Sequence, residues 1–308
     1  QYAKRALMIA AAGGHNILMK GPPGTGKSML AQSLNSILPP MMLEEIIEVT
    51  QIYSSAGLLH GNPFINYRPF RSPHQTASVV AIIGGGKDPR PGEISLAHRG
   101  ILFLDELPEF RRDLLEALRQ PLENGKVIIS RAKNNVVFPA RFTLVAAMNP
   151  CPCGYYNDPE KECRCGANEV LKYQKKISGP LLDRIDIQID VPRIKIEQLR
   201  KQEVDYSEGD EMRKKVKIAR EIQKHRLGKS GVLINSEMSS KDCDKLISFE
   251  SQAEKFLKEV FDKKFISARG YYRILKVAQT IADLENSDKV TEDHLAEAFN
   301  YRIKENQE

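Results

Sequence analysis

The sequence predicts a layered α/β fold, with helices on a parallel sheet, followed by a helical C-terminal part. Three observations predict it. Apolar strand-like runs at residues 17–20, 101–105, 142–148 and 186–191 alternate with helical sequence. The first run leads directly into Gly21-Pro22-Pro23-Gly24-Thr25-Gly26-Lys27-Ser28 and then a helix-forming stretch, residues 29–38. Beyond Pro192 strong strands cease, and residues 212–227, 251–261, 268–284 and 291–301 carry apolar side chains at three- and four-residue spacing.

The chain has 308 residues, 41% of them hydrophobic. That length exceeds what one core usually supports, so a large domain over residues 1–193 and a smaller one over residues 194–308 are expected. No run approaches the roughly 20 apolar residues of a membrane span, and the N-terminus has no signal-peptide pattern. These features predict a cytoplasmic protein without a membrane partner. The sequence opens in helical register without an initiator Met, so a longer parent protein is expected. A net charge of +6 is compatible with a nucleic-acid partner without demanding one, because Lys and Asp/Glu are interspersed.

Taken in order, the elements each have a local cause. The interval from Pro39 to Arg99 is too long for a simple connection and should hold inserted structure. Its triple glycine, Gly84-Gly85-Gly86, followed by Lys87, marks a mobile or tightly turned tip. Two β-rich runs, residues 126–130 and 136–138, flank Arg131-Ala132-Lys133-Asn134-Asn135, which predicts a hairpin with a basic, amide-rich tip. Near the C-terminus, Thr291-Glu292-Asp293-His294 supplies an N-cap and an acidic first turn.

The glycine-rich segment matches G-x-x-x-x-G-K-[ST] in its required setting between strand and helix. Its glycines let backbone N–H groups turn inward toward phosphates, with the positive end of the next helix behind them. Lys27 would neutralise phosphate charge, and Ser28 would place a hydroxyl on Mg²⁺. The run Ile101-Leu102-Phe103-Leu104 ends in Asp105 and Glu106. In a nucleotide hydrolase the first carboxylate holds Mg²⁺ and the second polarises the attacking water. Asn149, ending another buried run before Pro150, could hold that water or the γ-phosphate; before Pro an Asn also suits a turn. Arg184, just before the last strand, and Arg269, opening a C-terminal helix, could stabilise phosphoryl transfer. Spacing alone fits surface ion pairs as well.

Taken together, GPPGTGKS, ILFLDELPEF, LVAAMNPCPCG and SGPLLDRIDIQIDVP resemble the AAA+ ATPases related to the magnesium-chelatase ATPase subunit, most nearly the ComM/YifB family of competence-associated proteins. Residues 68–78 and 91–100 are also family-like, and the likeness covers almost the whole chain. It implies a P-loop NTPase with a three-layer αβα core and a C-terminal helical lid, using ATP and Mg²⁺. Gly21, Pro22, Pro23, Gly24, Thr25, Gly26, Lys27 and Ser28 would be Walker A, and Asp105 and Glu106 Walker B. Asn149 would be sensor 1, Arg184 the arginine finger and Arg269 sensor 2, with Arg273 one turn on as a rival for the last role. Residues 39–99 would carry the helix-2 insert and residues 125–140 the pre-sensor-1 hairpin, both pointing into the pore of a hexameric ring. An N-terminal Lon-protease-like domain is expected in the family and lies outside this sequence.

Cys151, Cys153, Cys163 and Cys165 give C-x-C-x9-C-x-C, four thiolates able to satisfy a tetrahedral Zn²⁺. Reduced thiols and a disulfide or redox switch are the alternatives, and Cys243 stands alone in helical sequence. His15-Asn16 could contact adenine or be a turn satisfied by backbone. Arg131, Lys133 and Lys87 suit phosphate contacts, although a solvated tip has the same composition. The run Arg213-Lys214-Lys215-Val216-Lys217 reads as a solvated helix face. The resemblance implies a branch-migrating DNA motor on single-stranded or branched DNA. A remodeller of protein complexes, like the magnesium-chelatase subunit, is the alternative, and a scaffold with vestigial hydrolysis is a third.

Overall fold

Parallel pairing of apolar strands organises the protein in a computed structural model that describes residues 1–59, 61, 63–130, 135–193, 206–228, 230–263 and 266–302. Helix α1 (Tyr2–Gly13) leads into β1 (Ile17–Lys20), α2 (Lys27–Ile37) and α3 (Leu43–Ser55). Then come β2 (Phe70–Arg71), α4 (Val79–Ile83), β3 (Gly84–Gly85), β4 (Arg90–Pro91), α5 (Glu93–Leu96) and β5 (Ile101–Leu104). Next are α6 (Arg112–Ala117), α7 (Arg119–Asn124), β6 (Lys126–Ser130), β7 (Asn135–Pro139), β8 (Thr143–Met148), α8 (Ala167–Gln174), α9 (Gly179–Leu182) and β9 (Ile187–Asp190). Five C-terminal helices among the described residues follow: α10 (Tyr206–Leu227), α11 (Ser240–Leu246), α12 (Ser251–Lys263), α13 (Ala268–Leu284) and α14 (Glu292–Asn300).

The main sheet has the order β2-β5-β8-β1-β9, and all its pairs are parallel. Ile17 sits between Val145 and Ile187, and Leu102 faces Leu144. Alternate residues supply two cores, as the two-residue period of a strand requires. Ile17, Met19, Ile101, Phe103, Val145 and Ile187 pack toward α1, α2 and α13. Leu18, Leu102, Leu104, Leu144, Ala146 and Met148 pack against Ile82, Ile94, Leu114 and Leu181 on the other side. Burial on both faces is why these strands read as continuous apolar runs.

The first of these cores is continuous from the sheet through α1 into the C-terminal helices. The small side chains Ala6, Ala10, Ala11 and Ala12 are fully buried there. Helix α10 also satisfies the last carbonyls of α1: Arg220 donates to the carbonyl of Ala11 at 2.6 Å and Gln223 to that of Ala12 at 3.1 Å. Helix α13 buries Ile274, Leu275, Val277, Ala278, Ile281 and Ala282, a broad apolar stripe at helical spacing. Its N-cap Ser267 accepts from the Gly270 N–H at 3.1 Å. Thr291 caps α14 as its sequence predicts.

The insert between β1 and β5 contains α3, β2, α4, the β3–β4 hairpin and α5. The three glycines have φ of 106°, 142° and 99°; Gly84 and Gly85 form β3, and Gly86 opens the turn to β4. Strand β2 was not anticipated from the sequence. It is two residues long because Pro69 and Pro73 flank it, and proline cannot extend a ladder. The Ile101 N–H donates to the Pro69 carbonyl at 2.8 Å, and a Cβ on Gly100 would lie 2.0 Å from that oxygen. Gly100→Ala should therefore push β2 off the sheet edge and lower stability by about 2 kcal/mol, measured as a reduced midpoint of urea unfolding.

Candidate nucleotide site

Three adjacent strands deliver the predicted phosphate-binding and carboxylate residues to one edge. Strands β1, β8 and β5 run parallel side by side, so the loop after Lys20, the carboxylates after Leu104 and the amide after Met148 emerge together. The Gly21 N–H donates to the Met148 carbonyl at 3.1 Å. A Cβ at Gly21 would meet the Val191 carbonyl at 2.2 Å, while Gly24 and Gly26 adopt φ of 79° and 80°. The glycines are thus required by close approach at one position and by left-handed backbone at two. Thr25 Oγ1 braces the loop by donating to the Pro22 carbonyl at 3.0 Å.

Lys27 begins α2 and is 8% exposed. Its Nζ donates to the carbonyls of Gly21 at 2.7 Å and Pro22 at 2.8 Å, and to Asn149 Oδ1 at 3.3 Å. All three acceptors are neutral. Burial lowers the lysine's pKa, against the opposing pull of Asp105 and Glu106. Ser28 Oγ donates to Asp105 Oδ2 at 2.8 Å, and the Glu106 N–H donates to Asp105 Oδ1 at 2.9 Å. Glu106 is exposed and has a left-handed φ of 52°, unusual for a residue other than glycine. The set fits a magnesium nucleotide: an ammonium lacks an anionic hydrogen-bond partner, amides open a helix, and a hydroxyl already touches a carboxylate that could share a hard cation with it.

Arg184 and Arg269 are not brought to this edge. Arg184 lies before β9, at the amino edge, separated from the phosphate loop by about 13 Å of strand. Arg184 is 4% exposed; its Nη1 donates to the Pro180 carbonyl at 2.6 Å, and its Nη2 to Glu123 Oε2. Arg269 Nη2 donates to Glu123 Oε1 at 2.9 Å. Arg273 instead pairs with buried Asp186 and donates to the Arg184 carbonyl at 3.2 Å. Burial opposes ionisation of Asp186, but Arg273 and His15 hold its carboxyl below the usual range. His15 Nε2 is 2.8 Å from Thr280 Oγ1, while Asn16 donates to the Arg184 carbonyl at 2.9 Å and accepts from the Leu144 N–H at 2.8 Å. Asn16 therefore ties strand ends together at the amino edge, and His15 joins that edge to α13. Glu123 and Asp186 were missed by sequence reading: a carboxylate between arginines distant in the chain leaves no local pattern.

The four clustered cysteines converge, with ligand atoms all within 4.8 Å of one another. Sγ separations of 3.4, 3.7 and 3.6 Å join Cys151, Cys153 and Cys163. A disulfide requires about 2.05 Å, and all four thiols are free. Tetrahedral zinc with bonds of about 2.3 Å would set sulfurs about 3.8 Å apart, so the cluster fits zinc. Backbone N–H groups of Arg164 and Tyr155 draw Cys153 down to about 6. Cys165, despite the Cys153 N–H, is pushed up to about 12 by desolvation and the neighbouring thiols. The loop leans on the phosphate loop, where a Cβ at Gly154 would meet Pro23 Cδ at 2.6 Å. Cys243 is buried apart from the cluster, and burial raises its pKa to about 11.

A sheet in this order, with the phosphate loop, paired carboxylates and amide on one edge, defines an AAA+ ATPase domain. The sequence matches the family magnesium chelatase, subunit ChlI, over residues 1–199 and the ChlI C-terminal family over residues 207–302. The chain belongs to that family, in its ComM/YifB branch. It is 47% identical over 304 residues to the competence protein ComM of Haemophilus influenzae, covering 98% of this chain and 58% of that protein. Likeness to the uncharacterized protein YifB of Escherichia coli is 44% over 302 residues, covering 98% and 58%. The magnesium-chelatase 38 kDa subunit of Chlorobaculum parvum is 26% identical over 157 residues, covering 44% and 45%. The chain thus spans less than two thirds of the ComM and YifB proteins it matches.

The backbone at Glu106 yields a prediction independent of activity. Because a Cβ in the left-handed region costs about 1–2 kcal/mol, Glu106→Gly should be more stable than Glu106→Ala by about 1 kcal/mol. Thermal melts of the two variants would show this as a higher midpoint for the glycine form.

Proposed function

We propose that the chain is the ATP-hydrolysing part of a hexameric DNA motor in the cytoplasm, of the branch-migrating ComM type used in recombination during natural transformation. The observation that carries this reading is the separation of Lys27 from Arg184 and Arg269 by the length of the strands. Positive charge for phosphoryl transfer would then come from a second subunit, as ring ATPases require. In this reading residues 1–193 are the nucleotide-binding core and residues 194–308 the lid.

Lys27 and the loop amides hold the nucleotide phosphates, with Ser28 and Asp105 as the metal-binding pair. Mg²⁺ supplies neutralisation of phosphate charge when bound. Glu106, exposed beside Asp105, takes the proton of the attacking water, and Asn149, already hydrogen-bonded to Lys27, orients that water or the γ-phosphate. Arg184 and Arg269 act on the nucleotide of the adjoining subunit. Cys151, Cys153, Cys163 and Cys165 hold a structural zinc, with no open position for catalysis.

DNA as the load is supported by the net charge of +6, by Lys87 exposed on the β3–β4 turn and by the β6–β7 hairpin. Arg131 and Lys133 at that hairpin's tip lie outside the described residues. The run at residues 213–217 presents Arg213, Lys214, Lys215 and Lys217 outward and buries Val216, as a solvated helix face does.

Hydrolysis measured with the full-length protein should rise on addition of branched or single-stranded DNA and vanish in Lys27→Ala. Glu106→Gln should bind ATP yet turn over about 100-fold more slowly. Rings whose hydrolysis ignores DNA would favour the protein-remodelling alternative. Metal analysis should find one zinc per chain, lost in a Cys151→Ser, Cys163→Ser double variant; a full complement of zinc in that variant would remove the cysteines from this role.

A further inference from the structure

Arg184 is almost wholly buried, an unusual condition for a side chain expected to act on another subunit. Its Nε is buried without a hydrogen-bond partner, while its Nη2 is held by Glu123. The other oxygen of Glu123 receives Arg269. One carboxylate therefore bridges two guanidinium groups, with its two oxygens placed as two phosphoryl oxygens would be.

Glu123 is poorly placed to serve the fold alone. It sits in the last turn of α7, where the helix dipole disfavours a carboxylate, and its side chain is 46% exposed. Its pair with Arg269, exposed on both sides, contributes little stability, whereas its pair with Arg184 reaches a guanidinium only 5% exposed. Its location does connect the arginines to the hairpin. Gly125 ends α7 with φ of 63°, β6 starts at Lys126, and the Ala140 N–H closes the hairpin base on the Gly125 carbonyl at 2.8 Å.

We propose that Glu123 is an internal latch: in the unengaged subunit it occupies the place between Arg184 and Arg269 that the neighbour's γ-phosphate takes, and movement of the β6–β7 hairpin withdraws it. The latch rests on the reading in which these arginines act on an adjoining subunit. The attraction of both arginines that holds the Glu123 carboxyl below its usual range is the force opposing release. A load on the hairpin would thereby control when the neighbouring site receives its positive charge.

In the full-length protein, Glu123→Gln should raise DNA-independent ATP hydrolysis about fivefold and shrink the stimulation by DNA to match, the size of effect that a partly exposed carboxylate–arginine pair can hold back. An unchanged or lower DNA-independent rate would overturn the latch. Subunit mixing isolates the face involved. Lys27→Ala/Glu123→Gln subunits, able only to lend arginines, are mixed with Arg184→Ala subunits, able only to bind nucleotide. Their hydrolysis should exceed that of Lys27→Ala mixed with Arg184→Ala; equal or slower hydrolysis overturns the latch alone. If the Lys27→Ala and Arg184→Ala pair forms mixed rings and recovers nothing, the reading of arginines in trans falls, and the latch falls with it.

Discussion

Parallel pairing of β1 with β8 and β9 is the constraint on which the rest depends. Because the strands share one direction, every carboxyl end meets on one edge and every amino end on the other. The phosphate loop, Asp105, Glu106 and Asn149 fall on the first; Asn16, Arg184 and Asp186 fall on the second. Strand direction alone thus sorts the glycine-rich loop, carboxylates and amide from Arg184 and Asp186.

Electrostatics at the two edges differ accordingly. At the carboxyl edge a desolvated lysine is hydrogen-bonded only to neutral oxygens, leaving it prepared for an anion. At the amino edge the arginines are compensated: Arg273 by Asp186, and Arg184 and Arg269 by Glu123. Asp186 is buried and held by Arg273 and His15, whereas Glu123 is half exposed and shared. Burial on both sides fixes the first pairing, while the second joins one buried and one exposed arginine through a half-exposed carboxylate.

Much of this was legible in the sequence because it is local. The strand at residues 101–104, the loop from Gly21 to Ser28, the capped helices α13 and α14 and the four clustered cysteines each depend on neighbours in the chain. What escaped was set by distant partners. Strand β2 has only two residues between prolines and exists because Gly100 lets Pro69 approach. Helix α11 is short, and its Ser239 cap carries little apolar periodicity. Glu123 looks like any surface glutamate until the fold brings residues 184 and 269 to it. The approach of Gly154 to Pro23 likewise joins loops more than a hundred residues apart.

The apolar cluster that runs unbroken from the sheet through α1 to α13 has a mechanical meaning. Shearing these parts against each other would open closely packed alanines, so they resist relative displacement as a solid does. Force arriving at the helices of the C-terminal part is therefore transmitted to the sheet with little loss. A displacement imposed at one end of this packed body is delivered at the other rather than absorbed between them.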